Sequence, residues 1–318
     1  MATPPACGYG TPPAELKVHY MTRQELVKEF CSWETDKIDT TYISTMQDDL
    51  PESDRAKAEQ ILLHQPFKDL IESVTPAKHL VTWGTSAPGA MTFKNKITPL
   101  SVLCTNIQQT LSKNAKMKLI PLSFFCGLHT HSSASTNDWT KLVLPVGGRA
   151  LIISLLAQLV RQFDFGDNGF WIDEQCRAPS SQFLHTDKLN RLLVSFIRCL
   201  PNSVHLLVMV DEVRLFEKDE LKGDALPVLN TLIDIAEDQS LEASVKVLLT
   251  STLPPLYVGS RFDANLTTKV ESVYQYSPAT SMDRVKWALE HALYDYQTNQ
   301  KKRAALAEEN DVEMGEEL

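Results

Sequence analysis

At 318 residues, 43% of them hydrophobic, the chain is long enough to bury a full α/β core with further segments attached. Its formal net charge of −9 and pI near 5.4 leave no basic excess to neutralise phosphates, which argues against nucleic-acid binding. Six scattered cysteines without a C-x-x-C pair, no run of eighteen apolar residues and no basic-then-apolar leader point to a reduced, cytoplasmic protein with no membrane segment.

The first residues, rich in Pro and Gly, read as a disordered N-terminus over 1–15. Residues 16–77 read as a helical segment. Thr22 and Glu25 make a capping box ahead of Leu26, Val27, Phe30 and Trp33. A polar break at 48–54 follows, with Ser53 placed to cap a helix holding Ala56, Ile61 and Leu62. A short helix with Phe67, Leu70 and Ile71 closes the segment. None of these residues suggests chemistry, and the segment reads as a packing or partner surface.

A strand over His79–Trp83 leads into Gly84-Thr-Ser-Ala-Pro-Gly89-Ala90-Met91. This frame keeps the glycine spacing of the phosphate-binding loop G-x-x-x-x-G-K-S/T, but Ala90 replaces its lysine and Met91 its magnesium-binding hydroxyl. Lys94 and Lys96, just downstream, are the nearest residues that could fold back over a phosphate. Thr98-Pro99 opens a helix with Leu100, Leu103, Ile107 and Leu111 on its apolar side. Leu119–Cys126 is the next apolar strand, and Cys104 and Cys126 are expected in the core. His129 and His131 beyond it lack the further ligands zinc requires.

Arg149–Arg161 is a helix apolar on most sides, suited to direct packing on a sheet. Residues 164–181 read as a loop. Thr186 caps a helix reaching Leu200. Val204-His-Leu-Leu-Val-Met-Val-Asp-Glu212 is a nearly unbroken apolar run ending in two acids, the pattern of a strand buried on both faces. Ligands of open parallel sheets sit just beyond such strand ends, which makes Asp211 and Glu212 the first candidates for chemistry. A helix from Leu226, a strand over Val245–Thr252, a last strand over Val270–Tyr276 and a helix over Met282–Tyr296 follow. The acidic end, 301–318, reads as a charged, disordered tail.

Strands alternating with helices imply an α/β fold with a parallel sheet between helical layers, over residues 78–300. The ordered landmarks Leu80–Met91, Phe124-Phe125-Cys126, Ala150–Val160, Val204–Glu212 and Val247–Ser251 resemble the core of STAND-type (NACHT-like) P-loop NTPases. The likeness is to the degenerate form frequent in filamentous fungi. It implies a P-loop NTPase-like three-layer sandwich in which Asp211 and Glu212 match the Walker B acids, Asp211 holding magnesium if nucleotide binds. It matches Gly84 and Gly89 to the loop glycines and Thr250 or Ser251 to the polar sensor; Thr252 stands where relatives often carry arginine.

The missing lysine removes charge-assisted phosphate contacts of roughly 1.5–3 kcal/mol each, and the missing hydroxyl removes a magnesium ligand. The expectation is therefore a pseudo-ATPase domain acting as a protein-interaction or regulatory module with a protein partner. The alternative is a divergent ATP-binding switch using ATP and magnesium through Asp211, Glu212 and Lys94 or Lys96. A serine or cysteine hydrolase is disfavoured, because no G-x-S-x-G elbow is present. Relatives of this type continue into a winged helix and a repeat array, so the chain is expected to act as a partner-dependent subunit or to be a fragment of such an architecture.

Overall fold

The computed structural model describes residues 18–22, 34–73, 75–84, 97–113, 119–130, 146–165, 170–173 and 186–270, with isolated positions in 24–28 and 287–298. Among the described residues there are seven strands: β1 (Val18–Met21), β2 (Ala77–Thr82), β3 (Leu119–Phe125), β4 (Phe170–Asp173), β5 (His205–Asp211), β6 (Ser244–Ser251) and β7 (Thr267–Lys269). The principal helices are α1 (Thr35–Met46), α2 (Glu52–Gln60), α3 (Gln65–Glu72), α4 (Pro99–Lys113), α5 (Gly147–Gln162), α6 (Thr186–Arg198) and α7 (Lys222–Glu237).

Five strands form one all-parallel sheet in the order β3-β5-β6-β2-β7. The chain leaves β2 for the far edge at β3, returns through β5 to β6, and then passes over β2 to β7. Right-handed crossovers place helices of opposite travel on opposite faces. Leu206, Val208 and Val210 of β5 accordingly pack with α5, α6 and α7, whereas Leu207 and Met209 pack with α4. The protein is thus an α/β sandwich of two helical layers around a parallel sheet.

Helices α1 and α2 pack on α4 and α3 packs on β2, and Ile43, Ile61, Phe67 and Ile71 share one core with Val81, Leu103, Met209 and Leu248. As a result α4 is buried on all sides from Pro99 to Thr105. Lys246, fully buried in β6, donates to the carbonyl of Ile71 at the end of α3. Burial pulls its ammonium down to about 7, against the attraction of Glu72.

The exposed edge of a sheet presents unpaired backbone groups. On β3 these are met by side chains from α5. The buried amide of Gln158 donates to Ser123 O (2.8 Å) and accepts from Ser123 N (2.9 Å), imitating the peptide of a further strand. Gln162 donates to Pro121 O (2.9 Å), and Pro121 has no N–H to satisfy. The Gln158 amide also donates to Ser154, which receives Thr35 of α1. Asp36 with Arg161 and Asp39 with His129 (2.7 Å) complete the polar seam that fixes α1.

Several elements differ from the sequence reading. Residues 18–21 and 170–173, expected in a helical segment and a loop, pair as an antiparallel two-stranded sheet. Helix α2 has Pro51, not Ser53, at its cap position. Among the described residues the last sheet strand is Thr267–Lys269; of the expected strand Val270–Tyr276, Val270 is not in a strand and 271–276 lie outside the described residues. The Thr22–Glu25 capping box is present, with Glu25 N donating to Thr22 Oγ1 (3.3 Å) and Thr22 N to Glu25 Oε2 (2.8 Å).

Helix α5 begins at Gly147, whose φ of 67° favours glycine, tight against α7: an added Cβ would stand 2.9 Å from Asp224 Oδ1. The same carboxylate accepts from Arg149 N (3.4 Å), capping α5 from a neighbouring helix. Gly147→Ala is expected to lower stability by about 1–2 kcal/mol, read as a shift in the urea midpoint.

Candidate functional site

In a parallel sheet the ligand crevice opens at the carboxyl ends of the strands, where chain direction reverses. Here the chain leaves β2 towards β3 but leaves β6 towards β7, so the reversal falls between β2 and β6. The ends of these strands, Thr82 and Ser251, are register neighbours. Asp211 ends β5, the next strand over, and points to the α4 face because its side chain follows the alternation of Leu207 and Met209.

Asp211 is buried and both of its oxygens are engaged. Oδ2 accepts from Ser101 Oγ (2.6 Å) and Oδ1 from Thr250 Oγ1 (2.5 Å). Ser101 is itself placed by the start of α4. Thr98 Oγ1 accepts from Ser101 N (3.1 Å), and Thr98 N donates to Ser101 Oγ (3.0 Å), a reciprocal cap with serine in the usual place of glutamate. The carboxylate at the end of the third long strand is thereby tied to the helix that follows the first.

Glu212 has φ 57° and ψ 43°, the left-handed region that non-glycine residues seldom adopt. The turn swings its side chain onto the loop after β6, where Oε1 accepts from Thr252 N (2.7 Å) and Oε2 from Thr252 Oγ1 (3.0 Å). Burial raises both carboxyl groups well above their ordinary range, and the neighbouring Asp211 charge adds to the rise at Glu212. The hydroxyl contacts of Ser101, Thr250 and Thr252 oppose it. Among the described residues, neither acid forms an ion pair. Burial and these two acids also push the thiols of Cys104 and Cys126 up, which makes both unreactive core residues.

The structure therefore brings together three of the residues expected from sequence: Asp211, Glu212 and Thr250. Gly84 lies two residues past β2 and is buried. Gly89, Lys94 and Lys96 lie outside the described residues, as do Ala90 and Met91. His129 is paired with Asp39 and stacked on Phe124 at 4.7 Å, in keeping with a packing role; His131 lies outside the described residues.

Two participants were not expected. Ser101 stands three residues after Thr98, a spacing visible in sequence. Glu217, by contrast, had no local signal. Its buried carboxylate receives the backbone N–H groups of Leu256, Tyr257 (2.9 Å) and Val258 (2.9 Å). Together Glu212 and Glu217 hold the two ends of the loop beyond β6.

No family model matches the chain, and no curated protein matches its sequence. What the fold defines is the class: an α/β protein with a five-stranded, all-parallel sheet. Among the described residues no helix is long and apolar enough to cross a membrane.

Proposed function

We propose that this chain is a P-loop NTPase-like domain whose hydrolytic site is vestigial and which serves as a protein-interaction or regulatory module. Support for the NTPase resemblance comes from Ser101, a hydroxyl in the first turn of the helix after the first sheet strand, which meets an aspartate ending another strand, although it stands ten residues beyond Met91, the hydroxyl position of the loop. In P-loop NTPases a hydroxyl and an aspartate of this kind hold the magnesium ion. A polar residue, Thr250, ends the adjoining strand.

The observation that carries the vestigial reading is the engagement of all four carboxylate oxygens of Asp211 and Glu212 by the protein's own donors. A catalytic glutamate must be free to orient water, and Glu212 instead fastens a loop. Magnesium fits this donor set poorly. It keeps near-octahedral oxygen ligation at about 2.1 Å and retains several waters, whereas Asp211 is 1% exposed and raised towards its neutral form. The module acts through what its surface presents, held on a rigid sheet.

The rival reading, a weak ATP-binding switch, is favoured by the Ser101–Asp211 pair, which a nucleotide-bound magnesium would have to open. A thermal-shift titration of the whole protein with ATP and ADP, with and without magnesium, separates the two. The expected result is no change in Tm at millimolar nucleotide. A ligand present at 100 times its Kd would stabilise by about 2.7 kcal/mol. A magnesium-dependent rise in Tm that disappears in Asp211→Ala would overturn the vestigial reading.

A further inference from the structure

The loop that Glu212 and Glu217 hold in place reads Leu253-Pro254-Pro255-Leu256-Tyr257 at its tip. Five apolar or aromatic residues in succession are unusual at a surface, and here all but Pro255 stand outward. Leu253 is 41% exposed, Leu256 62% and Tyr257 48%. Pro254 is exposed and Pro255 half-buried. Burying side chains such as these is favourable, so their joint exposure in one short segment asks for another explanation.

The backbone of the tip is not free. At its start Thr252 N donates to Glu212; at its end Leu256, Tyr257 and Val258 donate to Glu217, which Arg214 also contacts at 3.3 Å. Lys222 stands over the Tyr257 ring, 5.8 Å from its centroid. Glu217 is buried, and a carboxylate placed under a loop to collect three N–H groups fixes the conformation of what lies above it. The ordering entropy that a flexible segment loses on binding has already been lost here.

We propose that Pro254-Pro255-Leu256-Tyr257 is a docking segment for a partner domain with an aromatic-lined, proline-recognising groove of the WW type. Consecutive prolines hold polyproline II geometry without internal hydrogen bonds, and such ridges seat between aromatic rings. A tyrosine two residues on supplies a second anchor with an apolar body and a polar tip, which distinguishes this segment from a bare proline pair. The chain contains its own controls. Pro4-Pro5-Ala-Cys7 and Pro12-Pro13-Ala-Glu15 have the proline pair without the tyrosine.

This deepens the interaction reading above and rests on it. It is tested without nucleotide, so its failure and a nucleotide-dependent shift in Tm remain separate results. The whole protein is titrated by calorimetry with an isolated WW-type domain that binds Pro-Pro-x-Tyr peptides, alongside a peptide spanning residues 250–260. Binding of the folded protein is expected, weakened about thirtyfold by Tyr257→Ala, the loss typical of a buried aromatic anchor. Pro254→Ala with Pro255→Ala is expected to weaken it comparably, and Pro4→Ala with Pro5→Ala to leave it unchanged. Thermal melts that match the wild type establish that the variants are folded. The proposal is overturned if the folded protein does not bind, if only the free peptide binds, or if Tyr257→Ala binds as the wild type does.

Discussion

Gln158→Met is expected to destabilise the protein by about 3 kcal/mol, although methionine nearly matches glutamine in length and volume. The amide of Gln158 supplies one donor and one acceptor to a single residue of the edge strand, Ser123, at 2.8 and 2.9 Å. Both residues are buried, so water cannot replace the lost partner, and each orphaned backbone group costs roughly 1–3 kcal/mol. Ser154 loses a donor as well, which weakens the seam to Thr35 and α1. Gln162→Met provides the contrast. It removes one bond to Pro121 O from an exposed side chain, water can take its place, and the expected cost is under about 0.5 kcal/mol. Urea unfolding of both variants measures the difference through the midpoint at constant m. Similar midpoints for the two would refute the idea that the Gln158 amide serves as the missing strand. A second expected consequence is self-association of Gln158→Met, because an unblocked edge is a template for strand addition.

How far the sequence spoke depended on where each element found its partners. The four long sheet strands were legible because burial on both faces leaves an apolar run; β5 is buried from His205 to Asp211 without interruption. Helix α1 was not. Its sequence Thr-Asp-Lys-Ile-Asp-Thr-Thr-Tyr-Ile-Ser-Thr-Met has little apolar periodicity, and Thr35, Asp36 and Asp39 are buried through polar contacts with α5 and His129. Strand β7 escaped for a related reason. Its three polar residues are held by pairing with β2 and by Thr268 bonding His79 (2.8 Å), neither of which local pattern encodes. At the site, the acids announced themselves by ending an apolar run. Their partners did not, since Ser101 lies 110 residues from Asp211 and Thr252 lies 40 from Glu212. The distinction between an acid free to activate water and one fastened to a loop therefore became readable only in three dimensions.

Glu212→Gln tests that distinction through the pH dependence of stability. Burial and the Asp211 charge raise the Glu212 carboxyl from its ordinary value of 4.5 to about 8. Between these limits the folded protein holds a proton at Glu212 that the unfolded chain has released, so stability falls as pH rises across the window. The contribution is fully present below pH 4.5 and is lost as pH passes about 8. Glutamine has the same length, accepts the left-handed backbone no less readily, and can accept from Thr252 N while donating to Thr252 Oγ1. It does not ionise. The variant is therefore expected to gain on the wild type by about 3 kcal/mol between pH 5 and pH 8, measured by urea unfolding at intervals across the range. Asp211 and Glu212 influence each other, so the difference reports the titration of the acid pair with the carboxyl at 212 removed. A difference that is flat with pH would mean that Glu212 is ionised throughout, as a water-activating glutamate must be, and would count for the switch over the vestigial site. A growing advantage for glutamine would mark Glu212 as a carboxyl that holds its loop in the protonated form, and would leave the tip it secures as the working surface.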